Sequence, residues 1–198
     1  MCFPFPDHSL GALASFAPKL YQYVASKLKL LFEHYPWLRH NFTNSIFPAT
    51  TFNCGPDTEC LDHVDDGNLS HFLCAITALG QYDPRFGGHL ILFPLKLIIE
   101  FPPGSTILLP SGTMPHGNTP IRAGETRLSM TQYCAGGLIR WVDYGFQSVK
   151  SLLATKDGRE RRAAIDGPPG SRWKRALDLF SKVEELPDDR ISVFSRFK

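Results

Sequence analysis

The stretch HLILFPLKLIIEFPPGSTILL, residues 89–109, carries three apolar segments, 89–93, 97–101 and 105–109, set apart by Pro94, Lys96 and the run Pro102-Pro103-Gly104. Each segment is about five residues long and bounded by turn formers. That is the length of a strand and too short for a stable helix. Similar segments occur on both sides, at 46–52, 60–64, 72–79 and 126–134, again separated by Gly, Pro, Asn and Asp. Short strands at this spacing predict a barrel or a two-sheet sandwich rather than alternating β–α units. Gly87-Gly88 before the segment at 89–93 and Pro102-Pro103-Gly104 read as tight turns.

Helical patterning flanks this region. From 17 to 35 the apolar residues Leu20, Tyr23, Val24, Leu28, Leu31 and Phe32 recur every three or four positions. Pro18 stands where its missing N–H costs little, and Pro36 closes the segment. Residues 1–16 show no clear period, which leaves open a domain beginning upstream. Past the core, 141–153 reads as helical, 156–170 as a charged loop, and 171–185 as a helix with Trp173, Ala176, Leu177, Phe180 and Val183 on one stripe. The expected organisation is a single domain over 1–198, mainly β with flanking helices (α+β). Its parts are an N-terminal helix at 17–35, a β core at 42–135 and a C-terminal helical extension at 141–190.

Composition narrows the function classes. The 198 residues can bury one conventional core, and 43% hydrophobic against 20% charged residues argues against disorder. With 21 Lys and Arg against 19 Asp and Glu, no global field steers the chain to nucleic acid or an anionic membrane, so such a contact requires a local patch. The longest apolar runs fall far short of the roughly 20 residues that span a bilayer. Cys2, Cys54, Cys60, Cys74 and Cys134 form no C-x-x-C pair and follow no secretory signal. Reduced thiols and an intracellular address are therefore expected.

His63-Val64-Asp65 puts an imidazole and a carboxylate two residues apart, on one face of an extended segment. Alone, this is a weak metal signal, and the bland alternative is a polar surface pair. His116 follows the segment at 105–109. Two His and one carboxylate on a shared face leave adjacent positions open, which suits non-haem Fe(II) and O2, whereas a closed zinc site needs a fourth ligand. Arg127 and Ser129 alternate onto one face of the segment at 126–134. A buried Arg there requires an anion, and its fork matches a carboxylate.

These ordered elements, H-x-D, then H, then R-x-S, resemble the Fe(II)/2-oxoglutarate-dependent dioxygenase superfamily over about 42–134, including the turn at Gly87-Gly88-His89-Leu90. The resemblance implies a double-stranded β-helix (jelly-roll) core. It implies Fe(II) on His63, Asp65 and His116, with 2-oxoglutarate anchored by Arg127 and Ser129. It further implies consumption of O2 and release of succinate and CO2 as a substrate C–H bond is oxidised.

A narrower resemblance rests on His63-Val64-Asp65-Asp66-Gly67-Asn68. It is similar to the H-x-D-x-x-N signature of the TET/JBP branch, oxygenases of methylated pyrimidines in nucleic acid with numerous relatives in basidiomycete fungi. That resemblance implies that Asn68 contacts a flipped base and that Tyr133, six positions after Arg127, stacks on it. Ala135 departs from the pattern, which has a base-contacting His there. The base is therefore open among 5-methylcytosine, N6-methyladenine, thymine and an RNA base. Asn68 has a plain alternative as a turn-capping residue, and Tyr133 as a core aromatic. His71 and His89 do not fit the ligand spacing.

A local basic surface for DNA or RNA is offered by Arg140, Lys150, Lys156, Arg159, Arg161, Arg162, Arg172, Lys174 and Arg175, interrupted by Asp157, Glu160, Asp166 and Asp178. A nuclear location follows if the substrate is DNA. Two other functions stay open: a hydroxylase of a protein or small molecule on the same core, and a catalytically inactive binding module. The oligomeric state is not readable from the residues.

Overall fold

A computed structural model describes residues 6–42 and 45–195. Cys2 and the first five positions of the 1–16 segment lie outside the described residues. The chain divides into two compact units, one of Phe47–Ala135 and one formed by the chain ends up to Ile46 and from Gly136.

The first unit holds seven strands: β1 (Ala49–Asn53), β2 (Cys74–Gln81), β3 (Leu90–Leu92), β4 (Leu97–Ile99), β5 (Thr106–Leu109), β6 (His116–Asn118) and β7 (Thr126–Tyr133). They form two antiparallel sheets, ordered β1-β7-β2-β5 and β4-β3-β6. A bridge between His63 and His116 adds one more extended segment to the free side of β6. Followed along the chain, the two sheets then receive four segments each by repeated crossing, which is the double-stranded β-helix. Cys74, Ile76, Ala78 and Leu109 of one sheet bury against Leu90 and Leu92 of the other, together with Tyr82 and Phe101. Each buried Leu or Ile there contributes about 1.5–3 kcal/mol of hydrophobic stabilisation.

The expected segment at 60–64 is no strand; only His63 pairs. Its neighbours Asp62 and Leu61 are exposed, so no apolar alternation drives a longer ladder. The turn at Gly88 has φ +69, and a side chain there would stand 2.5 Å from the Tyr82 ring. The backbone crosses that ring only because residue 88 has no Cβ.

The second unit contains α1 (Pro6–Phe16), α2 (Pro18–His34), α3 (Gly136–Asp143), α4 (Val149–Leu153), α5 (Gly158–Asp166), α6 (Ser171–Leu177) and α7 (Leu186–Phe194). α2 matches the expected amphipathic helix: Leu20, Tyr21, Val24, Leu28 and Leu31 are buried, and it packs against α1, α3 and α7. Three expectations change. The helix at 141–153 is broken between α3 and α4, where Gly145 and Phe146 both take positive φ and the Phe146 ring stacks on His34 at 3.8 Å. The charged loop at 156–170 contains α5, whose Arg, Glu and Ala favour a helix without an apolar stripe to reveal it. The helix at 171–185 ends at Leu177; Val183 is 83% exposed, so its helical spacing corresponds to no buried face. No helix among the described residues is long and apolar enough to cross a membrane.

Candidate active site

His63 and Asp65 sit in the loop between β1 and β2, and backbone bonds hold that loop against β6. The His63 N–H donates to the His116 carbonyl at 3.1 Å and the His116 N–H returns the bond at 3.0 Å. Two residues further on, the Asp65 N–H donates to the Ser111 carbonyl at 2.9 Å. Cys60 and Asn118 close the near side, the Asn118 N–H donating to the Cys60 carbonyl and the Cys60 N–H to Asn118 Oδ1, both at 2.9 Å. This clamp brings one ligand atom each of His63, Asp65 and His116 within 4.8 Å of one another, a group able to hold a metal ion.

Both imidazoles are prepared as ligands. His63 Nδ1 lies 2.8 Å from the Leu61 carbonyl and His116 Nδ1 2.9 Å from the Met114 carbonyl. A carbonyl only accepts, so each Nδ1 carries a proton, which leaves Nε2 as the nitrogen of each ring that could ligate a metal. Burial lowers the pKa of His116, outweighing the opposing bond to Met114, and so favours the neutral ring a metal needs.

The clamp depends on residue 117. A Cβ on Gly117 would stand 2.7 Å from the Cys60 carbonyl oxygen and 3.2 Å from that of Leu61. Gly117→Ala is expected to push the loop carrying His63 and Asp65 away from β6. Affinity for Mn(II) or Co(II), read by titration, should fall about 10- to 100-fold, as when the support of a metal ligand is removed. An unchanged affinity would mean the loop is not held in place by this close approach.

Asn68 lies one turn beyond Asp65. Its N–H donates to the Asp65 carbonyl at 2.9 Å, and its Nδ2 donates to Asp65 Oδ2 and to Ser111 Oγ, each at 3.1 Å. The turn is closed by the backbone N–H, as any non-proline residue could close it, while the side chain orients the Asp65 carboxylate. Asp65 Oδ1 lies 3.7 Å from His63 Nε2. The Asn68 amide oxygen has no partner among the described residues. Cys74 lies behind this group with its thiol beside Ser111, and burial pushes that thiol to about 12, so it stays protonated. Cys54, Cys60, Cys74 and Cys134 are all free.

β7 supplies the opposite wall. Its alternation turns Arg127, Ser129, Thr131 and Tyr133 toward one cavity of about 450 Å³. The same cavity is lined by His63, Asp65, His116, Asn68 and Ala135, so every residue singled out in the sequence as a candidate site residue meets there. Arg127 is only 3% exposed; its Nη1 donates to the Thr58 carbonyl at 3.0 Å, and its buried Nε has no partner. No carboxylate pairs with it among the described residues. The neighbouring Tyr82 hydroxyl donates to the Phe101 carbonyl, and burial raises its pKa although the guanidinium opposes the shift. A buried guanidinium with no carboxylate beside it among the described residues is costly, and its planar fork is of the shape that fits one.

Sequence reasoning missed Asn53. β1 pairs with β7 so that Asn53 stands opposite Ser129, and its Nδ2 donates to Ser129 Oγ at 2.9 Å. With a lone pair so engaged, the Ser129 hydroxyl is set to donate its proton to an anion beside Arg127. Tyr133 stands opposite Ala49 at the other end of β1, half-buried, with its hydroxyl 3.5 Å from Thr51 Oγ1. His89 lies apart from the triad, its Nδ1 3.0 Å from Thr119 Oγ1.

No protein-family model matches the chain, and no curated protein matches it. Among solved structures the chain is similar to NgTET1 in complex with 5mC DNA, with a TM-score of 0.42 and 16% identity over 66% of this chain. The match spans 53% of that protein's chain, about half its length. It is also similar to the viral collagen prolyl hydroxylase vCPH from Paramecium Bursaria Chlorella virus-1 in its 2OG complex, with a TM-score of 0.31 and 14% identity over 57% of this chain and 70% of that one.

Proposed function

We propose that this chain is an Fe(II)- and 2-oxoglutarate-dependent dioxygenase. The observation that carries the reading is a buried, anion-less Arg127 on the wall of the cavity that also holds the triad of His63, Asp65 and His116. Three ligands leave coordination positions for an α-keto acid and O2, and a guanidinium on the same wall suits the far carboxylate of a dicarboxylate. The chemistry a bound iron(II) supplies is activation of O2 coupled to conversion of 2-oxoglutarate to succinate and CO2, with oxidation of a substrate C–H bond.

The residues themselves bind and orient. His63 and His116 offer Nε2 because their Nδ1 protons are directed at carbonyls. Asp65 is steadied by Asn68, which is tied in turn to Ser111. Arg127 and Ser129 hold the distal carboxylate, Ser129 aligned by Asn53. Asn53→Ala is accordingly expected to raise the KM for 2-oxoglutarate about fivefold, the effect of one hydrogen bond, with little change in kcat. A drop in kcat at constant KM would remove Asn53 from that role.

For the substrate, we favour a methylated base in nucleic acid. Tyr133 and Asn68 line the same cavity, the ring of one able to stack and the amide oxygen of the other able to accept a hydrogen bond from a base edge. Ala135 favours a second reading, a protein or small-molecule hydroxylase, because its methyl group adds no base-reading group to the cavity wall.

The test is succinate release by the Fe(II)-loaded protein given 2-oxoglutarate and methylated DNA and RNA oligonucleotides, beside a His116→Ala control. Release stimulated by one oligonucleotide supports both parts of the proposal. Background release that vanishes in the control, with no oligonucleotide effect, supports the oxygenase and turns the search to proteins and small molecules. No succinate from either protein refutes the oxygenase.

A further inference from the structure

We propose that the helical unit carries a groove for single-stranded nucleic acid, built from Arg159, Arg162 and Arg172 around the exposed ring of Trp173. The groove lies between α5 and α6 and encloses about 860 Å³. Its charge is local: residues 149–175 hold eight Lys and Arg against three Asp and Glu, in a chain whose net charge is only +2. The basic character therefore belongs to this stretch, and the rest of the chain is net acidic.

The acidic residue inside the groove organises the cations and does not cancel them. Asp166 accepts from the Tyr144 hydroxyl at 2.9 Å and from Arg162 Nε at 3.3 Å, and lies 3.6 Å from Arg172 Nη2. One carboxylate thus faces two guanidiniums, with Arg159 on the same lining. The wall is fixed before any ligand arrives. Arg175 donates to the Ile165 carbonyl at 3.1 Å and to the Asp166 carbonyl, tying α6 to the end of α5, and Pro168-Pro169 stiffens the connection.

Trp173 decides the class of ligand. It is 58% exposed on the groove, with Lys174 Nζ 5.6 Å from its ring. Phosphates alone need only the cations. A large aromatic ring, more than half exposed beside guanidiniums and approached over one face by the mobile Lys174 side chain, matches a strand that presents phosphates and unstacked bases together. A duplex keeps its bases stacked and out of reach of the ring.

The experiment is fluorescence anisotropy of labelled oligo-dT and oligo-rU at several salt concentrations, with no iron and no 2-oxoglutarate. It therefore stands apart from the reading of the β unit. Trp173→Ala should weaken binding by about five- to a hundredfold with the salt dependence unchanged, and Trp173→Phe should recover most of it. Arg159→Ala with Arg172→Ala should flatten the slope of log K against log salt by about 1.4, or about 0.7 for each phosphate no longer neutralised. Thermal melts of each variant establish that the helices remain folded. The proposal is overturned if the parent binds neither strand, or if folded Trp173→Ala binds like the parent. It is also overturned if heparin binding responds to Trp173→Ala as strongly as oligonucleotide binding does, since a bare polyanion offers nothing to stack.

Discussion

Asp65→Asn is expected to end metal-dependent turnover while leaving the protein folded. Asp65 is the one anion in the triad, and its replacement by an amide of equal size keeps the hydrogen-bonding geometry while removing the charge that balances a divalent ion. The backbone bond from Asp65 to Ser111 is untouched, and an amide oxygen can still accept from Asn68. Two imidazoles remain, neither able to supply negative charge. Affinity for Co(II), followed by its absorption, should fall by more than about a hundredfold, beyond the effect of removing a group that merely orients a ligand. The melting temperature of the metal-free protein should move little. A Co(II) affinity within a few fold of the parent would show that the ion sits elsewhere, and the oxygenase reading would go with it.

Much of the β unit is legible in the sequence because its strands are short apolar segments bounded by turn formers. The segments at 72–79, 89–93, 97–101, 105–109 and 126–134 overlap β2, β3, β4, β5 and β7. β6 is not legible. It is three residues, His116-Gly117-Asn118, all buried and none of them aliphatic, so its place is set by its neighbours and not by hydrophobic patterning. Without β6, the pairing of His63 with His116 is invisible in the sequence, although the two histidines can be singled out as candidates from type and spacing.

The site divides along the same line. Arg127 and Ser129 are alternate residues of one strand, so a local rule puts them on one face. Asn53 touches Ser129 only through the register of β1 against β7, a pairing across 76 positions. No local pattern encodes that distance. Asn68 shows the limit from the other side. Residue type alone sets a capping role against a site role, yet the Asn68 side chain makes no turn cap: the backbone N–H closes the turn and the short amide is left to hold the Asp65 carboxylate. In the helical unit, α5 lacks an apolar stripe, so only its helix-forming composition, without periodicity, marks it in the sequence.

Arg127→Met should move stability and co-substrate binding in opposite directions. Methionine roughly fills the aliphatic part of the space, and the backbone bonds of residue 127 to Pro56 and Thr58 do not involve the side chain. What disappears is a buried guanidinium whose Nε has no partner, together with its bond to the Thr58 carbonyl, which still accepts from Asn118 Nδ2, so the ligand-free protein should gain about 1–4 kcal/mol, as when buried charges give way to apolar groups. For a chain of this size that raises the melting temperature by roughly 2–4 °C per kcal/mol. Affinity for 2-oxoglutarate should fall by about two to four orders of magnitude, the consequence of leaving a buried carboxylate without its cation at a cost of about 3–5 kcal/mol. Arg127→Lys should fall between, keeping the charge and losing the two-pronged geometry. A residue that merely supported the fold would lose stability on substitution, and 2-oxoglutarate binding would fall only in proportion. A stabilised variant that no longer binds 2-oxoglutarate is the outcome peculiar to an anchor, because a pre-formed cation that destabilises the empty protein is retained only where an anion offsets it.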